Sequence, residues 1–213
     1  MVTEGTGFMF FCGERECLQD DSNSSKSTIK YSSEMEIVDA AHRFGIGVKY
    51  VNASLSRWNA NLSHAEYVLR WLQKPKDFLV QVGKCDTGKT YFCAAIANFF
   101  LNNKKNVKYY NSHRLIEEIQ KGMAKEITAY ETIGKMAAYD FFILDDLGSS
   151  LNTEWQKEMF LDLIDQRYSN SKPTVITSNL NESEMKNVLG ERTSRRIFSK
   201  ENLLIELGPE YVR

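Results

Sequence analysis

No apolar stretch in this chain reaches the ~18 to 20 residues that a membrane-spanning helix needs. The N-terminus, MVTEGTGFMFFCGE, also lacks the basic start and small-residue cleavage site of a secretion signal. A cytoplasmic protein with no membrane partner is the expectation. An excess of one charge is missing too: 27 Lys and Arg against 28 Asp and Glu leave a net charge of −1. Nothing then draws the whole molecule to nucleic acid, and any DNA binding must use a local basic patch. Cysteines are few, at 12, 17, 85 and 93. A disulfide between Cys85 and Cys93 would obstruct the loop that holds the first of them, which suits a reducing compartment. No internal repeat is present. What remains, 213 residues of which 42% are hydrophobic and 26% charged, is ample for one main domain around one sizeable core.

The polar stretch QDDSNSSKST ends a region too poor in apolar residues to pack, so residues 1–31 read as a short tail and linker. Residues 32–75 read as a helical lead-in. Ser33 and Glu36 have capping-box spacing ahead of Ile37, Ala40, Ala41 and Phe44, until Gly45 and Gly47 interrupt. Ser63 and Glu66 repeat that signal before Tyr67, Val68, Leu69, Trp71 and Leu72, with Pro75 as the stop. Beyond, FLVQV, VKYY, FFILDD, TVITSN and NLLIEL are strand candidates separated by helical patterns such as YFCAAIANFFLNN and TEWQKEMFLDLIDQRY. Near-continuous apolar strands, rather than alternating ones, predict a parallel sheet covered by helices on both faces.

Between the first such strand and its helix lies Gly83-Lys84-Cys85-Asp86-Thr87-Gly88-Lys89-Thr90, followed by Tyr91. It fits G-x-x-x-x-G-K-[ST] at every required position. The glycines let backbone N–H groups curl around phosphates, Lys89 reaches the β- and γ-phosphates, and the Thr90 hydroxyl is placed to ligate Mg²⁺. Asp86 is the odd member, a carboxylate in an anion-holding loop, although Asp tolerates a left-handed backbone better than most residues. Such a loop needs a carboxylate at a neighbouring strand end for the cation and a group to orient water. Asp145 and Asp146, closing FFILDD, have those positions. Asn179, closing TVITSN, is expected at the same sheet edge, within reach of a γ-phosphate or the attacking water. In ERTSRRIF, Arg192, Arg195 and Arg196 cluster on a predicted helix, either as a solvated face or as a source of an arginine finger toward a neighbouring copy.

From about residue 44 onward these segments resemble the DnaC/IstB-like branch of AAA+ ATPases, which includes helicase loaders and a transposition ATPase. The resemblance rests on GIGVKYVNASL, VGKCDTGKT, FFILDDLG, WQKEMFLDLIDQRYSNSKPTVITSNL and LGERTSRRIF. It implies an α/β fold, a P-loop NTPase AAA+ core over residues 76–213. That core has a central parallel five-stranded sheet flanked by helices and no substantial C-terminal lid domain. It implies ATP and Mg²⁺ as cofactors, with residues 83–91 at the nucleotide and Thr90 and Asp145 at the metal. Asp146 and Asn179 become catalytic, Arg196 the arginine finger and Arg192 a second contact. The implied function is a slow, partner-stimulated ATPase that self-associates through its ATP site on single-stranded DNA and loads a replicative DNA helicase. The same core could instead assist a transposase.

The chain departs from the family at Asp86, where Gly or Asn is common, and at its end, GPEYVR, where Arg213 stands in place of a sensor-2 residue. EGTGFMFFCGEREC resembles the remnant of a zinc-binding module with only Cys12 and Cys17 of the four ligands that structural zinc wants. The helix over Ile37–Phe44 is then either a helicase contact or a core-packing element. Between VKYY and FFILDD, Arg114, Lys121 and Lys125 offer phosphate contacts, with Tyr109 and Tyr110 as stacking surfaces. Glu117, Glu118 and Glu126 dilute that charge, so a plain solvated face is the alternative. Two other classes compete. A P-loop small-molecule kinase would be a monomer with no use for Asn179 or Arg196, and a non-catalytic ATP switch would tolerate Asp146→Asn.

Overall fold

Five short strand segments pair in parallel, and the interior ones are rich in Val, Ile, Leu and Phe because helices bury both of their faces. The computed structural model describes residues 45–58, 62–103, 105–149 and 151–207. The strands are β1 (Phe78–Gly83), β2 (Val107–Asn111), β3 (Phe141–Asp145), β4 (Thr174–Ser178) and β5 (Leu203–Leu207), in the spatial order β2-β3-β4-β1-β5. Every neighbouring pair is parallel. Every residue of β3 and β4 is buried, whereas the edge strands β2 and β5 expose part of theirs.

Among the described residues seven α-helices follow in chain order: α1 (Leu62–Gln73), α2 (Lys89–Asn102), α3 (Ser112–Met123), α4 (Ala129–Ala138), α5 (Glu154–Ser169), α6 (Glu182–Leu189) and α7 (Glu191–Ile197). On one sheet face, Phe92, Ile96 and Phe100 of α2 pack with Leu79, Ile143 and Val175. On the other, Leu115, Ile119, Ile133 and Phe160 from α3, α4 and α5 pack with Val80, Leu144 and Ile176. Phe78, Phe92, Phe142 and Phe160 are wholly buried, each stabilising the fold by about 1.5–3 kcal/mol through apolar surface removed from water. Capping boxes at Thr128/Glu131, Thr153/Gln156 and Asn181/Glu184 start α4, α5 and α6 by satisfying free backbone N–H groups.

Residues 45–58 contain two short 3-10 turns, Val48–Tyr50 and Leu55–Arg57. They are bound to α2 by Asn98, whose side-chain amide donates to the carbonyls of Val51 (2.8 Å) and Ala53 (2.8 Å), and by Trp58, whose ring lies 4.3 Å from that of Phe92. Ile46, Ala53 and Trp58 of this segment therefore share the core of the sheet domain.

The structure corrects several expectations. Helix α1 begins at Leu62, so Ser63 lies inside it rather than at its N-cap. The stretch after β2 is two helices, not one face, broken at a turn where Glu126 takes φ +63°. Tyr109 and Tyr110 are not stacking surfaces: strand pairing turns both rings into the two cores, and both are buried. The predicted helix over Ile37–Phe44, Cys12, Cys17 and Arg213 lie outside the described residues.

Candidate nucleotide site

The strand order brings together loops that are far apart in sequence. β4 lies between β1, which feeds the Gly83–Thr90 loop, and β3, which ends at Asp145. The residues after β4 therefore fall between phosphate loop and acidic pair, at the carboxyl edge where open α/β sheets bind ligands. A cleft of about 890 Å³ opens there, lined among others by Cys85, Lys89, Thr90, Asp145, Asp146 and Asn179.

Each part has a local cause. Gly88, at φ +87°, turns the loop into α2, whose N-terminal N–H groups and dipole favour an anion. Gly83 is required by space, since a Cβ there would sit 2.8 Å from the Leu207 Cβ. Asp86 takes φ +62° and is exposed, so it supplies the left-handed backbone the loop needs while adding a negative charge to its rim. Lys84 is exposed beside it, and Thr87 is buried, its hydroxyl donating to the Lys84 carbonyl at 2.9 Å. Lys89 is only 8% exposed. Its ammonium donates to the carbonyls of Gly83 (2.7 Å) and Lys84 (2.5 Å) and to Thr87 Oγ1 (3.3 Å). Burial lowers its pKa, opposed by the charges of Cys85, Asp145, Asp146 and Asp86. Tyr91 lines the cleft, and its hydroxyl accepts from the Ser54 N–H at 3.2 Å.

Across the cleft, Asp145 is 4% exposed. Tyr109 donates to its Oδ2 (2.6 Å) and Thr177 to its Oδ1 (2.5 Å). Asp146 adopts φ +57°. Its N–H donates to Thr177 Oγ1 (3.0 Å), its carbonyl accepts from Ser112 Oγ (2.8 Å), and its Oδ1 accepts from Asn179 Nδ2 (3.2 Å). The left-handed backbone of Asp146 is thus pinned from three sides with its carboxylate on the cleft.

The site fits a nucleoside triphosphate with a divalent cation. The cationic Lys89 and the α2 terminus supply the phosphate ground, and the cleft has the volume for a nucleotide. Among the described residues no three His, Cys, Asp or Glu side chains cluster to hold a metal by themselves. A cation here needs phosphate oxygens as partners, which is how Mg²⁺ is usually held.

The three arginines are elsewhere. Arg192 and Arg196 both ion-pair with Asp165, at 2.7 Å each, and Arg195 pairs with Glu191 at 2.6 Å. Together with Tyr168 they line a second cavity of about 530 Å³ that shares no residue with the first. They do not reach this chain's own phosphate loop. Arg114 also moves from its expected place: it is half-buried in the nucleotide cleft, donating to the Gly45 carbonyl at 3.3 Å. Sequence reasoning missed Gly45, Gly47, Lys49, Tyr50, Tyr109 and Asn111 as cleft residues. GIGVKY carried the one available signal, two glycines beside an aromatic residue, but nothing local told which cleft it lined. Cys85 and Cys93 are free thiols, the first exposed and the second buried, where burial pushes its pKa well up.

A parallel sheet in this order, with a phosphate loop after β1, an acidic pair after β3 and an Asn after β4, defines a P-loop nucleotide-binding protein of the AAA+ type. The family described as IstB-like ATP binding protein matches residues 56–196, and the chain belongs to that family. It is 24% identical over 183 residues to the replicative helicase loader DnaC of Buchnera aphidicola subsp. Schizaphis graminum, covering 82% of this chain and 74% of that protein. Among solved structures it matches the DnaC helicase loader with a TM-score of 0.66 at 23% identity, over 75% of this chain and 99% of that one. It also matches the replication initiator DnaA bound to AMPPCP and single-stranded DNA, with a TM-score of 0.65 at 19% identity, over 76% of this chain and 50% of that one. At those identities the structural likeness is one of fold. Among the described residues no helix is long and apolar enough to cross a membrane.

Proposed function

We propose that this chain is a Mg²⁺-dependent ATPase that loads a replicative helicase onto single-stranded DNA in the cytoplasm. The observation that carries the reading is the convergence of Lys89, Thr90, Asp145, Asp146 and Asn179 on one cleft, in a chain whose relatives are helicase loaders. When bound, Mg-ATP supplies the phosphoanhydride bond whose cleavage changes the state of the assembly. Lys89 exchanges its loop carbonyls for phosphate oxygens, and residues 83–91 wrap them with backbone N–H groups. Thr90 and Asp145 hold the cation. Asp146 accepts the proton of the attacking water, and Asn179, bonded to Asp146, orients both.

Arg196, with Arg192 beside it, acts on the γ-phosphate of an adjacent copy, which accounts for a pair held by Asp165 away from its own cleft. Hydrolysis is then slow in the monomer and rises when DNA aligns subunits. For DNA, Lys121 and Lys125 are exposed, and Tyr130, at 70% exposure, takes the place of Tyr109 and Tyr110 as the stacking surface. The IstB-like match supports a second reading, in which the same ATPase assists a transposase.

The test is capture of partners by the tagged chain, with and without ATP, together with single-stranded-DNA-stimulated hydrolysis. Recovery of the replicative helicase, with Arg196→Ala abolishing stimulation but sparing ATP binding, supports the loader. Recovery of a transposase favours the second reading, and a wild-type chain that hydrolyses no ATP, alone or with DNA and partner, refutes both.

A further inference from the structure

Asp145 belongs to β3, but the groups that decide where its carboxylate points belong to two other strands. Tyr109, on β2, donates to Oδ2, and Thr177, on β4, donates to Oδ1. An ionised carboxylate offers about four lone-pair sites; the two hydroxyls take one on each oxygen, the buried Cys93 thiol of α2 also hydrogen-bonds Asp145, and Asp145 lines the cleft. Both hydroxyls are themselves fixed. Thr177 is wholly buried and also accepts the Asp146 N–H. Tyr109 is buried in the α2-side core, and Gly45 closes over its backbone so tightly that any Cβ there would collide with the Tyr109 carbonyl.

We infer that Tyr109 and Thr177 are positioning residues for the cation that accompanies the nucleotide, the two hydroxyls fixing the plane of the Asp145 carboxylate so that its free lone pairs address the cleft. The inference rests on the ATP reading above. It gives Tyr109 a role in metal binding in place of the DNA stacking its sequence position suggests. Mg²⁺ demands near-ideal geometry and dehydrates reluctantly, so a carboxylate free to rotate about its Cα–Cβ and Cβ–Cγ bonds holds it less well. The cost of losing such an outer partner falls on metal dependence rather than on nucleotide contact.

The experiment is binding of the non-hydrolysable analogue AMPPCP to the full chain, titrated with Mg²⁺ and repeated in EDTA, for wild type, Tyr109→Phe, Thr177→Val and Thr177→Ser. Tyr109→Phe keeps the ring and its burial and removes one oxygen. The half-saturating Mg²⁺ concentration should rise roughly tenfold in Tyr109→Phe and Thr177→Val, while affinity in EDTA stays within about twofold. Thr177→Ser, which keeps the hydroxyl, should restore the wild-type value even if Thr177→Val proves too unstable to measure. A folded Tyr109→Phe protein with wild-type Mg²⁺ dependence overturns the positioning role, as does wild-type binding that ignores Mg²⁺. A wild-type chain that binds no analogue under either condition overturns the ATP reading itself.

Discussion

Replacing Arg167 by Met removes a buried side chain that makes four hydrogen bonds and lines no part of the nucleotide cleft. Arg167 is 1% exposed and lies at the end of α5. It donates through Nε to Thr174 Oγ1 (2.8 Å) and through its two terminal nitrogens to the carbonyls of Ala137 (2.9 Å), Tyr139 (2.9 Å) and Pro173 (2.7 Å). Its guanidinium also sits 5.1 Å from the centre of the Phe142 ring. Burial lowers its pKa to about 9, opposed by the charge of Asp140, and hydrogen bonds rather than a contacting counter-ion satisfy its donors. Met fills much of the same volume but takes the Arg167 donors from the Ala137 and Tyr139 carbonyls, each costing about 1–3 kcal/mol when buried, while the Pro173 carbonyl keeps the Phe142 N–H. Partial relaxation and the relief of burying a charge offset some of this, and the expected net loss is about 3–5 kcal/mol. That is a large share of the roughly 5–15 kcal/mol by which domains are stable. Urea denaturation followed by circular dichroism measures it: the midpoint should fall by about 1–2 M at unchanged slope. Arg167→Lys, a point charge with three donors, should fall between the two. A Met variant whose midpoint moves by less than about 0.5 M at unchanged slope would refute the structural role assigned to those four bonds.

Two further outcomes concern the phosphate loop. Asp86→Gly accommodates the left-handed φ and removes a rim charge that opposes phosphate, so AMPPCP affinity should rise about fivefold, the equivalent of ~1 kcal/mol of screened repulsion; weaker binding would mean that the Asp86 carboxylate contributes a contact. Lys89 is held below its ordinary pKa by burial in the nucleotide-free chain, and phosphate raises it. Nucleotide affinity should therefore be full below the lowered pKa and fall as pH rises through it, with proton uptake on binding. Titration calorimetry in buffers of different ionisation heat reads that uptake directly, and its absence across the alkaline range would contradict the assignment.

Local patterns carried the elements because each is decided within a few residues. The apolar runs at 78–82, 141–145 and 174–178 became interior strands, and the helices over 89–102 and 154–169 follow the apolar spacing and, for the latter, the Thr153/Gln156 box. The phosphate loop was legible for the same reason: glycines, Lys89 and Thr90 are contiguous, and the chemistry requires them to be. IDQRY, by contrast, reads only as a helix end until the fold wraps three carbonyls and a threonine around Arg167.

The amino-acid sequence by itself determined which segments form strands and helices, where the phosphate loop lies, and which residue types stand at strand ends. Only the tertiary structure decided what those ends face. The order β2-β3-β4-β1-β5 sets Thr177 and Asn179 between loop and acidic pair, turns Tyr109 from a surface candidate into a donor to Asp145, and draws Arg114 and the Gly45–Gly47 turn into the cleft. Asp165 captures Arg192 and Arg196 across 27 or more positions of chain in the same way. Parallel strands join residues through crossovers that run in either direction along the sheet, and side-chain spacing within one strand holds no record of which strand will lie beside it.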